Sequence, residues 1–524
     1  MSFDALVIGA GINGLVAAAH LGAQGRRVGV FEGGTVPGGA VKTAEVTTPG
    51  FKHDLGAMNL SLFAGSAFHS EHGAALASHG FELAPATDTF ATAFPDGRWL
   101  GVTNDLDTTA ARIAAFDEHD AAAWRKMSAG FMGELEDIGG LLNTPMTRGR
   151  LAKYLWKLWR KRGTGGTVEL ARFMTSSPRA FLDENFRSPE LKAMMAAWGM
   201  HLDFAPDVAG GAVFPYLESF ANQSFGMVLG KGGAGGLITA LVKMIEAQNG
   251  EVRTNARVTN ILRTGRTANG IRLADGTTVT ARKAVIANTG PAALVHLLDE
   301  ETGDDHYDDR ALAFRYAPGT MMIHLAMDAL PDWTAGDDLK RFAYVHLAPS
   351  LGMMDIAYAQ AKAGLLPAEP VVVCGQPTAV DPSRAPDGKH ILWLQVRMVP
   401  AHIEGDALGK IDGIEWDDVK DAYADRVLDI LERYAPGTRD KIIARHVVSP
   451  LDLEADNPNL VGGDQISGSH HLSQNFLFRG PPGHADWSTP VGNLFHVGAS
   501  TWPGAGTGAG SGYMLAQRLI RGRH

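Results

Sequence analysis

A glycine-patterned β-α-β unit opens this 524-residue chain, a glycine turn with a helix and strands lies in its middle, and a strand, glycine loop and helix close it. Together these predict an α/β fold. The expected architecture is a discontinuous Rossmann-like domain built from three separated segments, with an α+β substrate-binding domain inserted between them. The length exceeds what one hydrophobic core usually serves, in keeping with two domains.

Residues 5–8 read as a buried parallel strand. Gly9, Gly11 and Gly14 follow as G-x-G-x-x-G at the strand-to-helix turn. The first glycine permits the tight turn, the second lets a pyrophosphate reach the backbone, and the third lets helix pack on strand. The Ala- and Leu-rich stretch 13–24 predicts a helix ended by Gly25, and 27–31 a second strand. The helix N-terminus offers free N–H groups and partial positive charge to a diphosphate. Glu32 closes the second strand about 20 positions beyond the glycines, where an acid takes ribose hydroxyls. An acid there repels the 2′-phosphate of NADP. The unit by itself suits NAD and FAD equally.

The next segment, "GGTVPGGAVKTAEVTTPGFKHDLGAMN", favours FAD. Gly38 and Gly39 form a second close-approach loop where an NAD domain would continue alternating helix and strand. At the far end, "NLFHVGASTWPGAGTGAGSGYMLAQRL" has a strand at 494–497, then Gly498 and Ala499. A glycine-rich loop over 504–512 leads into a final helix. Its N-terminus suits a flavin, because it stabilises negative charge on the reduced ring.

The stretches "VIGAGINGLVAAAHLGAQGRRVGVFE", "PGGAV", "TPGFKHDLG", "GKGGAGGLITAL", "NPNLVGGD" and "HVGASTWPGAGTGAGSGY" cover much of the chain in outline. The sequence resembles the phytoene-desaturase-like FAD oxidoreductases. The branch indicated includes the bacterial carotene ketolases and the pyridine nucleotide-disulfide oxidoreductase domain 2 proteins. The resemblance implies one FAD without a covalent link. Gly9, Gly11, Asn13, Gly14, Glu32, Gly38, Gly39 and Ala40 would contact it from the N-terminal side. Gly498, Ala499, Gly508 and Ala509 would do so from the C-terminal side. Ala40 stands where many relatives carry an arginine, so that contact comes from elsewhere or is missing.

The middle segment 230–290 predicts a glycine turn, a helix to Gln248, a strand over 252–258, a small meander over 261–263, 270–273 and 277–280, and a buried strand at 284–287. It should rejoin the first unit in one sheet, with the Val258 backbone at the adenine edge and Asn288 beside the cofactor. "GKGGAGG" has no acid-tipped strand to complete a second nucleotide site, so it is read as a structural helix start. The expected domains are 1–75, 230–295 and 455–524 for FAD, and 76–229 with 296–454 for an apolar substrate. In "GRLAKYLWKLWRKRGTGG", Leu151, Tyr154, Leu155, Leu158 and Trp159 recur at helical spacing, with Lys153, Lys157, Arg160 and Lys161 mostly opposite. Residues 150–162 could therefore meet a membrane surface, the protein's own core or a second subunit.

Flavin carries the redox chemistry, so the protein supplies position and electrostatics. His201 and Asp203 in "AWGMHLDFAPDVAGG" are the candidate catalytic residues, against structural roles as a satisfied histidine and a turn residue. His324 and His346 are weaker candidates. The His470–His471 pair lacks metal-ligand spacing, and the single Cys374 rules out a cysteine-rich metal site or an internal disulfide, so no metal is expected. The net charge of -10 argues against nucleic acid as a partner. A signal peptide and an apolar run of spanning length are not recognised, so the expected location is cytoplasmic, with membrane-surface contact and homo-oligomerisation open. The expected function is FAD-dependent dehydrogenation, desaturation or oxidation of a small hydrophobic molecule, with O2, a quinone or another electron acceptor. An amine oxidase and a non-redox flavin-dependent isomerase are the alternatives.

Overall fold

In the computed structural model, which describes residues 2–299 and 301–522, the strand Ser2–Ile8 lies inside a parallel sheet. Met1, Glu300, Arg523 and His524, included in the expected domain bounds, lie outside the described residues. Ser2–Ile8 pairs on one side with Val28–Phe31, and that strand with Glu251–Arg253; on the other side it pairs with Thr278–Asn288, and that with Leu494–Val497. All four pairings are parallel. The three separated segments thus meet in one sheet, and the fold is α/β with a Rossmann-like core. Val7, Val30 and Ile286 are fully buried, as a sheet covered on both faces requires. The helix Ile12–Ala23 is short-chained and almost wholly buried, so it packs closely on the sheet.

Two strand expectations need correction. The stretch 252–258 is two strands, Glu251–Arg253 and Val258–Thr264. Between them Asn255 is left-handed at φ 51°, and the amides of Asn255 and Ala256 donate to the carbonyls of Gly34 and Glu32 at 2.9 and 2.8 Å. The chain crosses over the end of the neighbouring strand there and cannot stay extended. Conversely, 277–280 and 284–287 are one strand, Thr278–Asn288, whose first part closes the antiparallel meander and whose last part joins the parallel core.

A second seven-stranded sheet runs Ile442–Val448, Gly319–Met327, His390–Val399, Val371–Gly375, Tyr344–Leu347, Asp88–Ala93, Trp99–Thr103. It is antiparallel except where Tyr344–Leu347 pairs with Asp88–Ala93. That pairing places strands from both inserted stretches in the same sheet. Long helices, Glu118–Leu142 and Val213–Phe225 among them, pack over it around Trp124, Phe131 and Phe220.

The amphipathic stretch lies in the helix Arg148–Thr175, interrupted at Gly163. Its apolar residues do not form one face. Leu158 is buried and the Tyr154 hydroxyl donates to the Asp137 carbonyl, whereas Leu155, Trp156 and Trp159 are 45%, 57% and 49% exposed. Among the described residues no helix is long and apolar enough to cross a membrane.

Candidate cofactor and substrate cavity

The turn after Ser2–Ile8 shows what each glycine does. Gly9 has φ +90°, and its N–H donates to the Phe31 carbonyl at 2.8 Å. A Cβ at Gly14 would stand 2.6 Å from the Gly9 carbonyl oxygen, so only glycine lets this helix sit so near the strand. Gly11 is the helix N-cap and has no side-chain cap, which leaves first-turn N–H groups open toward the cavity. Gly38 donates to the Ala10 carbonyl at 2.9 Å and bridges to Gly11, which brings the second glycine loop onto the first.

Glu32 is positioned by two backbone amides, Ala10 on Oε2 at 2.7 Å and Gly34 on Oε1 at 2.8 Å. Its carboxylate oxygens keep lone pairs for hydroxyl donors. Asn288 ends its strand and donates through Nδ2 to the Gly9 carbonyl at 3.3 Å, so it pegs the glycine turn. Asn459, in the "NPNL" stretch, accepts the Gly290 N–H at 2.8 Å and donates to the Asn288 carbonyl at 3.3 Å.

The C-terminal segment closes over the same space. The helix Gly510–Ile520 begins after Ala509, left-handed at φ 51°, and it too lacks a side-chain cap. Its Gly512 N–H donates to the Asn13 side-chain oxygen at 3.3 Å, tying the two uncapped helix starts together. His470 accepts the Ala505 N–H on Nε2 at 3.1 Å and is held neutral, since burial pushes its pKa far below the usual value. It fixes the glycine loop.

These loops line one cavity of about 2000 Å³. Gly9, Gly11, Asn13, Glu32, Gly38 and Gly39 face it, as do Ala40, Val258 and Asn288. So do Gly498, Ala499, Gly508 and Ala509 from the other end of the chain. Gly14 lies behind the lining, as its packing role requires. Beside Ala40 the cation is Lys42, paired with Asp456 at 2.8 Å. The two uncapped helix starts, the glycine cradle and the acid at the strand end suit a dinucleotide.

The other end of the cavity is apolar. Leu135, Ile138, Phe214, Leu217, Tyr344 and Trp393 line it, the last two stacked at 6.0 Å and 22°. His201 faces this chamber. Its Nε2 lies 3.3 Å from His346 Nε2, its ring packs on Trp198, and burial, helped by Arg397 and His346, drives its pKa well below the usual value. It is a neutral hydrogen-bonding group. Asp203 does not reach the cavity, which corrects its placement beside His201 in a catalytic pair. The left-handed turn at φ 67° aims it away, where it accepts from the Tyr358 hydroxyl at 2.9 Å and meets His471 at 3.2 Å.

Two groups escaped the sequence reading. Glu218 faces the apolar chamber, and its burial pushes the carboxyl pKa up to about 7. An acid among apolar residues at helical spacing in "VFPYLESFANQSF" was the available signal. Arg397 also lines the chamber and donates to the carbonyls of Met200 and His201, the latter at 2.6 Å.

"GKGGAGG" is structural, as expected. Its Gly232 N–H donates to Asp381 at 2.6 Å, Ala234 N–H to Asp54 at 2.8 Å and Gly235 N–H to Thr43 at 2.8 Å. Of the amides a phosphate would need, two are already held by acids and one by a threonine hydroxyl, and Arg384 pairs with both acids.

Comparison with known proteins gives the family and the fold. The family model described as flavin containing amine oxidoreductase matches residues 12–508. The mouse pyridine nucleotide-disulfide oxidoreductase domain-containing protein 2 is 28% identical, over 99% of this chain and 93% of that protein. The neurosporene-forming phytoene desaturase of Cereibacter sphaeroides is 26% identical, over 96% and 91%. The crystal structure of an oxidoreductase from Methanosarcina mazei superposes with a TM-score of 0.62 at 19% identity, covering 99% of this chain and all of that one.

Proposed function

The chain belongs to the flavin containing amine oxidoreductase family, and on that premise we propose that it oxidises an apolar organic molecule held against FAD inside a single shared cavity. The observation that carries this reading is the cavity itself. Its volume of about 2000 Å³ exceeds the roughly 300–1,000 Å³ of an ordinary ligand pocket. It has room for a cofactor at the glycine end and a substrate at the aromatic end.

In this reading residues 1–75, 230–295 and 455–524 hold FAD, and 76–229 with 296–454 form the substrate domain. The open amides at the start of Ile12–Ala23 take the diphosphate, Glu32 the ribose hydroxyls and the Val258 backbone the adenine edge. Ala499, Gly508 and Ala509 approach the flavin. When bound, the flavin accepts a hydride. The protein's part is to exclude water with Leu135, Leu217 and Trp393, and to orient the substrate in an apolar space. An electron acceptor, O2 or a quinone, completes the cycle.

Purified protein is expected to show flavin absorbance, and Gly11→Val to retain less than a tenth of it, because the side chain would fill the diphosphate's approach. Anaerobic addition of a saturated apolar substrate should bleach the flavin bands. Colourless protein that takes up no added FAD would refute the reading. The stacked Tyr344 and Trp393 rings favour amine oxidation as the second reading; bleaching by amines and not by polyenes would select it.

We infer as well that the exposed edge of the helix around residues 150–162 meets an anionic lipid surface. Leu155, Trp156 and Trp159 stand in solvent, and Arg160 lies over the Trp156 ring at 5.1 Å. Lys153 and Lys157 are exposed beside them, and each such cation adds about 1 kcal/mol near an anionic surface. Lys161 and Arg162 are already paired with Glu136, Asp137 and Glu134 and contribute less. The protein should sediment with phosphatidylserine-containing vesicles in low salt and not with phosphatidylcholine alone. W156A/W159A should weaken that binding at least fivefold, and unchanged sedimentation would count against it.

A further inference from the structure

The wall of the apolar chamber is interrupted by one carboxyl group. Glu218 projects from the helix Val213–Phe225 between Leu217 and Ala221, opposite Leu135 and Ile138 of the helix Glu118–Leu142. Among the described residues its carboxyl makes no hydrogen bond or ion pair. One turn on, the Asn222 side-chain amide donates to the Glu218 carbonyl at 2.8 Å, and this leaves Asn222 Oδ1, a second acceptor, without a partner. Tyr344 is the ionisable neighbour whose own titration feels the Glu218 charge.

Glu218 is half-buried and faces the chamber; once an apolar ligand displaces water from that space, its carboxyl oxygens are left without a partner unless the ligand supplies one. Nearby arginines do not relieve it: burial is the sole cause of its raised pKa. Arg397, the cation that lines the same chamber, spends its donors on Thr320 and on the carbonyls of Met200 and His201. A ligand that fills the chamber is the group placed to supply that partner, and toward the ionised carboxylate it must be a donor.

We propose that Glu218 is the recognition point for a hydrogen-bond-donating group, a hydroxyl or an amine N–H, on an otherwise apolar ligand of this chamber. This inference rests on reading the aromatic end of the cavity as the substrate half. A donor that reaches Glu218 gains a charge-assisted hydrogen bond in a water-poor setting. A hydrocarbon of the same length buries the carboxylate without compensation. A site built around such a group discriminates against analogues that lack the donor far better than an apolar wall discriminates by size.

The test is calorimetric binding to the FAD-loaded protein at pH 8, where Glu218 is mostly ionised. The probes are 1-decanol, decylamine and methyl nonyl ether, which is similar in length and has no donor. The alcohol and the amine should bind at least tenfold tighter than the ether. E218L should erase both preferences. E218Q, nearly isosteric, should keep a reduced preference for the alcohol through its amide oxygen and lose the larger part of the amine's. A greater loss for the amine than for the alcohol in E218Q assigns the site to a cation, and an equal loss assigns it to a neutral donor. Flavin absorbance verifies that each variant is folded and loaded. Equal affinity for ether, alcohol and amine, or an unchanged preference in E218L or in E218Q, overturns the proposal. A wild-type protein that binds no flavin overturns the oxidoreductase reading instead, so the two failures are separable.

Discussion

Gly512→Ala is expected to unseat the C-terminal helix and, with it, the flavin. A Cβ at Gly512 would overlap the Asn13 carbonyl oxygen and lie 2.8 Å from its carbon and 3.1 Å from the Asn13 Cα. All three atoms belong to the backbone of the buried helix Ile12–Ala23, so no side chain can rotate away. The helix Gly510–Ile520 must retreat, and the Gly512 N–H then leaves the Asn13 side-chain oxygen. Ala509 and Gly508, which line the cavity just ahead of it, move with the helix. Overpacking of a close-fitted core costs about 1–3 kcal/mol when side chains can adjust; a Cβ pressed onto backbone atoms belongs at or above the top of that range. Thermal unfolding should fall by several degrees, and bound flavin per chain should drop severalfold. Gly236→Ala is the control, since its Cβ would meet nothing nearer than 3.9 Å in a helical turn. That variant should unfold at or slightly above the wild-type temperature. If Gly512→Ala matches the control, the contact between Gly512 and the Asn13 backbone does not hold the two helix starts together.

The second large effect is expected at Arg384. Its guanidinium is fully buried, pairs with Asp54 and Asp381, and donates to the Gly230 carbonyl at 2.6 Å. Asp54 also takes the Thr43 hydroxyl at 2.6 Å and the Ala234 N–H at 2.8 Å. Three stretches of chain, around Asp54, Gly230 and Asp381, meet at this one cation. Arg384→Met keeps the bulk and removes the charge, which leaves Asp54 enclosed without its counter-ion. Breaking a buried pair from one side costs about 3–5 kcal/mol. The double variant D54N/R384M should be less destabilised than R384M, because the stranded charge is gone. Urea unfolding of the three proteins measures this. An R384M midpoint equal to that of wild type would show that the network contributes geometry without stability.

How much of this was readable beforehand follows from distance along the chain. Gly9, Gly11, Gly14 and Glu32 act within one β-α-β unit, so their spacing alone carried their geometry. Gly38 and Gly39 were readable for the same reason, and their bridge to Gly11 closes a short loop. The final strand was placed at 494–497, where it is found, because an apolar run bounded by glycines is a local pattern. The break at Asn255 was not readable. Nothing in "EVRTNARV" says that the amides of Asn255 and Ala256 will turn to the neighbouring strand's end. Asp203 stood beside His201 in sequence, and a single left-handed residue separated their destinations.

Local pattern by itself determined the α/β fold class and the glycine turn and acid of the first β-α-β unit. Each of these depends on backbone geometry and on residues a few positions apart. That the "GKGGAGG" amides are occupied was decided by Thr43, Asp54 and Asp381, distant in the chain. Tertiary structure alone decided which side chains meet in the chamber. Glu218, Tyr344, Trp393 and His201 come from four elements, the outermost nearly 200 positions apart in the chain. Their burial, and hence the protonation of Glu218 and of His201, depends on what the rest of the chain excludes from that space. Solvent exclusion is a property of the packed whole, and no short stretch of sequence encodes it.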